Sequence, residues 1–248
     1  MDEKNERREN RYLKFKKSNP DVSFAAYLAR GHFRNLTSER EHTSGGALAV
    51  ALGDPAEFWQ AGQKHAEKLM LAAALRPEHK VIEYGCGTLR LGAHFIRHLD
   101  ANCFLGLDVI DGYYNIGRKM LGDALLEKKR PRFHVISEQS LAEAKDFGAQ
   151  LVYSSLVCVH VHPDETETYF RNLARLAGQP GARLIFNAEL FEKPLRLEFN
   201  CWAWPQEFYE AALPEFTLAR ATIGRPRIKG GEEVRAVEFE FQRKDISR

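Results

Sequence analysis

The sequence is poor in cysteine, nearly balanced in charge, and without a long apolar run. Its four cysteines, Cys86, Cys103, Cys158 and Cys201, are scattered over 248 residues. No CxxC pair or Cys/His cluster has metal-ligand spacing, which argues against a disulfide framework or a zinc site; reduced, buried thiols and no metal are expected. Lys and Arg total 36 against 34 Asp and Glu, a formal charge of +2 with neutral histidine. That balance does not advertise the dense basic face of a protein that clamps phosphate backbones. No apolar stretch approaches bilayer length, and the charge-dense Met1–Lys17 lacks the apolar core of a signal peptide. A cytoplasmic location without a membrane partner is therefore expected. What is present, 44% hydrophobic and 28% charged residues, suits one soluble globular domain of ordinary size.

Along the chain, the first fifty residues differ from the rest. Residues 2–17 mix both charge signs with few apolar anchors, as a solvated helix or a disordered arm would. Asn19-Pro20-Asp21 signals a turn before a weakly amphipathic Val22–Phe33, and Thr43–Gly46 reads as a loop. Asp54-Pro55 then caps a helix that Pro77 closes. Beyond it, short apolar runs (Val81–Tyr84, Cys103–Leu107, Phe133–Ile136, Leu151–Ser154, Leu184–Phe186) alternate with helical patterns near 89–99, 111–127, 163–176 and 206–213. Such alternation implies right-handed βαβ units and a largely parallel sheet. Phe216–Ile223 and Val234–Arg243 follow without an intervening helix, which suggests an antiparallel hairpin at the sheet edge. The expected organisation is a charged arm and helical extension or lid over 1–53, followed by an α/β domain over 54–248.

One loop carries the strongest chemical signal. The first strand runs into Glu83-Tyr84-Gly85-Cys86-Gly87-Thr88, and glycines there let the backbone turn tightly and approach a ligand closely. The second strand ends at Asp108, where a carboxylate can accept hydrogen bonds from ribose hydroxyls. A dinucleotide-binding GxGxxG loop would need glycine at 90, where the chain has Arg90. Glu83 would also sit poorly beside a pyrophosphate, although it suits a cationic amino group. A purely structural strand-to-helix turn is the remaining alternative.

The run VIEYGCGTLRLG, with FLGLD, LVYSSLVCVHV and PGARLIF after it, resembles the seven-stranded, S-adenosylmethionine-dependent methyltransferases over about 77–243. The family's E/DxGxGxG loop is matched at Glu83, Gly85 and Gly87, with Leu89 in place of the third glycine. The resemblance implies a Rossmann-like three-layer sandwich with a mostly parallel seven-stranded sheet and a C-terminal antiparallel hairpin. It implies S-adenosylmethionine as cofactor and S-adenosylhomocysteine as product. Gly85 and Gly87 would pass the methionine moiety, Glu83 would organise its amino group, and Asp108 would hold the ribose. Glu138 and Gln139 would lie around the adenine, and Cys86, Arg90, Val109 and Ser154 would complete the cofactor surroundings.

Methyl transfer is a direct displacement, so the enzyme chiefly aligns the nucleophile and excludes water; a base is needed only for a protonated acceptor. His160 and His162, after the fourth strand, are candidates, at most one of them facing the site, with packing as the alternative role. Glu189, after the fifth, could bind the acceptor or face solvent. Trp202 and Trp204 could wall an acceptor pocket or pack a helix onto the sheet. The expected activity is methylation of oxygen or nitrogen on a small molecule. A DNA acceptor is not expected, because Tyr153-Ser154-Ser155-Leu156 replaces the Asn/Asp-Pro-Pro-aromatic motif of DNA amino-methyltransferases. Protein or RNA methylation, and cofactor binding without methyl transfer, stay open, as does a homodimer through the edge hairpin or the arm.

Overall fold

The computed structural model describes residues 3–37 and 55–245. The Thr43–Gly46 loop, the Asp54 cap and the boundary at 53/54 lie outside those residues. Two helices open the chain, α1 (Glu3–Ser18) and α2 (Phe24–Thr37), hinged at the turn expected around Pro20. α3 (Pro55–Ala72) starts on the expected proline. The α/β body then runs β1 (Val81–Tyr84), α4 (Gly92–His98), β2 (Phe104–Asp108), α5 (Asp111–Leu121), α6 (Asp123–Lys129), β3 (Arg132–Val135), α7 (Glu138–Lys145) and β4 (Leu151–Ser154). After short 3₁₀ turns come α8 (Thr166–Leu176), β5 (Arg183–Leu190), a small pair β6 (Leu195–Glu198) and β7 (Cys201–Ala203), α9 (Gln206–Ala211), β8 (Phe216–Lys229) and β9 (Glu232–Arg243).

Seven strands form one sheet in the order β3-β2-β1-β4-β5-β9-β8. β1 to β5 are mutually parallel, whereas β9 runs antiparallel to both β5 and β8. This is the Rossmann-like sandwich with an edge hairpin expected from the sequence. Period-two alternation makes both cores. Ile82, Leu105, Val152 and Leu184 pack under α7, α8 and α9, while Val81, Phe104, Leu151 and Ile185 pack under α3 and α4.

Local details depart from the expected boundaries for identifiable reasons. Gly122, at φ 81°, splits the helix expected over 111–127 into α5 and α6. The helix after the glycine loop starts at Gly92 instead of Leu89, because Leu89 itself sits at φ 65°. The hairpin strands run longer than expected and meet at Gly230-Gly231, both at positive φ, as a tight two-residue turn requires.

Candidate functional site

The strand order reverses at β1, which has β2 on one side and β4 on the other. Ligands of open α/β sheets bind outside the carboxyl ends of strands at such a point. The loop leaving β1 there is tied to β2: the N–H groups of Gly85 and Cys86 donate to the Leu107 carbonyl at 2.7 and 3.0 Å. Gly85 stands at φ 80°, and a Cβ on it would come within 2.3 Å of Val157. Only glycine lets the loop pass the segment after β4 this closely. The Gly87 N–H donates to Asp108 Oδ2 at 2.7 Å, and Val109 N–H donates to Oδ1 at 2.8 Å. Burial pushes the Asp108 carboxyl up to about 6, against the pull of these backbone donors.

Gly85, Gly87, Asp108 and Val109 open into a cavity of about 1340 Å³. Its far wall is built by α1 and α2, which bring Phe15, Tyr27 and Leu28 over the loop. This helical cap is fastened in four ways. Tyr12 and Phe24 pack with Phe199 and Trp202 of the body, with Tyr12 edge-on to Phe24 at 4.7 Å and Phe24 edge-on to Trp202 at 5.4 Å. Glu165 accepts the Phe24 N–H at 2.7 Å, the Tyr113 hydroxyl donates to the Ala29 carbonyl, and Arg196 pairs with Glu9 at 2.6 Å.

The structure distributes the candidate residues unevenly. Glu83 does not reach the cavity: by strand parity it points under α4, fully buried, its Oε2 without a hydrogen-bond partner, and burial raises its carboxyl well above the ordinary range. Cys86 is buried, and its thiol is likewise pushed up by burial. Arg90 packs on Gly62 of α3, where its carbonyl leaves no room for a Cβ. Ser154 is buried beneath the cavity, donating to the Tyr84 carbonyl and accepting the Tyr169 hydroxyl, both at 2.9 Å. Glu138 and Gln139 lie on the exposed face of α7, bonded to Arg175 and Glu143.

The two histidines diverge. His160 stands in the cavity wall with Nδ1 2.5 Å from the Asn200 carbonyl. A carbonyl only accepts, so Nδ1 carries the proton and the neutral ring keeps its lone pair on Nε2. Burial lowers the pKa of His160, which favours that neutral form. His162 turns to the cap interface, its ring among Tyr12, Phe24 and Trp202 and its Nδ1 accepting the Asp164 N–H. Glu189 neither binds in the cavity nor faces solvent. It is buried, ion-paired to Arg227 and to Lys229, and anchors the edge hairpin. Trp202 belongs to the cap interface, and Trp204 stacks on Phe208 at 4.2 Å, so both pack and neither lines the cavity.

Cavity residues not singled out from sequence include Tyr84, Tyr113, Ile136, Leu156 and Asn172. Leu156 had a signal: it lies inside the quoted run after β4. It stands at φ 59° with 57% of its surface exposed, unusual for leucine. The others sit on helices or strand ends that only the fold brings together.

A parallel sheet of this order, a glycine loop at its switch point and an acid closing β2 define the seven-stranded fold of S-adenosylmethionine-dependent methyltransferases, and the chain has that fold. Magnesium protoporphyrin IX methyltransferase from Synechocystis, solved with S-adenosylmethionine bound, is similar at 16% identity and a TM-score of 0.56, over 89% of this chain and 97% of that one. The cyclase SpnF is similar at 11% identity and a TM-score of 0.58, over 75% and 82%. A methyltransferase from Methanosarcina mazei is similar at 12% and 0.51, over 71% and 97%. No protein-family model matches the sequence, and no curated protein sequence matches it either. No helix among the described residues is long and apolar enough to cross a membrane.

Proposed function

We propose that the protein transfers a methyl group from S-adenosylmethionine to oxygen or nitrogen of a small-molecule acceptor. The observation that carries this reading is the Gly85–Gly87–Asp108 cradle opening into a cavity that α1 and α2 also line. The cradle fits the cofactor: Gly87 has open space where a Cβ would stand, and the two Asp108 oxygens, fixed by backbone donors, retain lone pairs for a ribose diol. The similar structure solved with S-adenosylmethionine supports that choice. S-adenosylmethionine supplies an activated methyl on a sulfonium, so the chain's task is alignment and exclusion of water.

Asp108 would hold the ribose, Gly85 and Gly87 would lie against the methionine end, and the cap would confine the acceptor. Neutral His160 in the cavity wall would take the proton of a hydroxyl or ammonium acceptor through Nε2. The cap lining the cavity beside the cradle supports a small acceptor over a protein or RNA. A non-methylating role is the second reading, favoured by the likeness to the cyclase SpnF. Incubating the protein with S-adenosylmethionine and pooled small-molecule acceptors separates them. S-adenosylhomocysteine formed only when acceptor is present is the expected result; tight binding of S-adenosylmethionine without turnover on any acceptor would favour the second reading.

A further inference from the structure

The basic residues of the cavity wall come from one part of the chain. Every lysine or arginine in the described wall comes from the cap: Arg8, Arg11 and Lys16 on α1, and Arg30 on α2. The body contributes carboxylates, Asp108, Glu165 and Glu198, and neither lysine nor arginine. Asp108 is engaged by the backbone of Gly87 and Val109, and Glu165 by the backbone of Phe24. Arg8, Arg11 and Phe15 recur at i, i+3 and i+7, which places them on one face of α1. Lys16 donates to the Val22 carbonyl at 2.9 Å, and the Arg8 guanidinium lies 5.9 Å over the Phe199 ring. Among the described residues, neither Arg11 nor Arg30 has an ion-pair partner, although Asp21 lines the same cavity.

The same wall also holds apolar and aromatic side chains: Tyr27 and Leu28 from the cap, and Leu156, Val157 and Phe199 from the body. A pocket that combines apolar side chains with guanidinium groups suits an apolar molecule that ends in a carboxylate, because the planar fork of Arg pairs with that group bidentately. Resting on the methyltransferase reading, we propose that the cap selects the acceptor, and that the acceptor is an apolar molecule bearing a carboxylate held by Arg11 and Arg30. The cofactor carries one carboxylate of its own on its aminoacyl end. Lys16 and Arg8 are engaged within the protein, and Arg11 and Arg30, the wall cations without an ion pair among the described residues, exceed what that single group needs, which leaves the acceptor as the second anion.

The test uses the full chain loaded with S-adenosylhomocysteine and titrated with matched pairs, 2-naphthoate against 2-naphthamide and 3-phenylpropionate against its amide. The expected result is carboxylate binding at least about tenfold tighter than amide binding, with that preference lost in Arg11→Gln/Arg30→Gln. The double variant should keep its circular dichroism and its affinity for S-adenosylhomocysteine, and Arg11→Lys/Arg30→Lys should recover part of the preference. Absence of a carboxylate preference in every pair, or its survival in the double variant, overturns the proposal. It is also overturned if the variant loses affinity for S-adenosylhomocysteine but not for 5′-methylthioadenosine, which lacks the aminoacyl carboxylate; the arginines then serve the cofactor. If wild type binds neither cofactor ligand, the methyltransferase reading fails, and the same pairs titrated into the unloaded protein decide the carboxylate preference separately.

Discussion

At the scale of single residues, Asp108 has the most exposed consequence. Its carboxyl ionises near 3.8 when solvated and is raised to about 6 in the folded chain. A raised acid binds its proton more tightly in the folded state. Its stabilising contribution is therefore full below about pH 4 and disappears as pH rises through about 6. Ligand binding runs the other way, because ribose hydroxyls donate to the ionised form. Affinity for S-adenosylhomocysteine should rise about tenfold between pH 5 and pH 7 and then level off, as titrations across that range would show. A flat profile would mean that Asp108 does not bind the ribose. Leu89 makes a second, independent point. It stands at φ 65° where the resembling family carries glycine, yet its side chain is fully buried. Left-handed backbone costs a non-glycine residue about 1–2 kcal/mol, whereas truncating a buried leucine costs about 2–5. Leu89→Gly should therefore lower stability to urea by about 1–3 kcal/mol; equal or greater stability would show that packing at this position matters less than strain.

At the scale of elements, the functional reading leans on the cap; a helical extension or lid over 1–53 was expected from the sequence, but the contacts that fasten it were not. Its latch joins Phe24 to Glu165, 141 positions apart. A hydrogen bond to a charged group contributes about 1.5–3 kcal/mol. Glu165→Ala should therefore speed amide exchange over Phe24–Arg30 by about tenfold or more while protection in β1, β4 and β5 stays put. Unchanged exchange in α2 would show that the aromatic cluster alone holds the cap. No local pattern announces such a contact, and the same holds for His162, Trp202 and Trp204, whose neighbours are supplied by distant elements. Glu189 illustrates the limit differently. Its position at the end of a parallel strand was legible, but the antiparallel hairpin that delivers Arg227 and Lys229 to it was longer than its apolar pattern indicated. Short elements with weak periodicity also escaped. α7 has eight residues, started by a reciprocal Ser137–Ser140 cap, and the β6–β7 pair reads in sequence as an aromatic-rich connection.

At the scale of the whole molecule, the legible features were those set by local physics and then summed. Apolar runs of three to five residues separated by helical patterns predict a parallel sheet. A glycine loop followed by an acid about one βα unit later predicts where its crevice lies. The strand order and the Gly87–Asp108 bond agree with both. Gly85, Gly87 and Asp108, singled out from the sequence, do stand together at that crevice, whereas the rest of the cavity wall, assembled from the cap and the segments after β4 and β7, has no local signature. The central claim is that this crevice is a cofactor site, and calorimetric titration of S-adenosylmethionine and S-adenosylhomocysteine into wild type and Asp108→Ala tests it most directly. Saturable binding by wild type, weakened at least about tenfold by the substitution, is the predicted result. Folded wild type that binds neither ligand would contradict the account and return the glycine loop to a structural turn or to a site for another nucleotide.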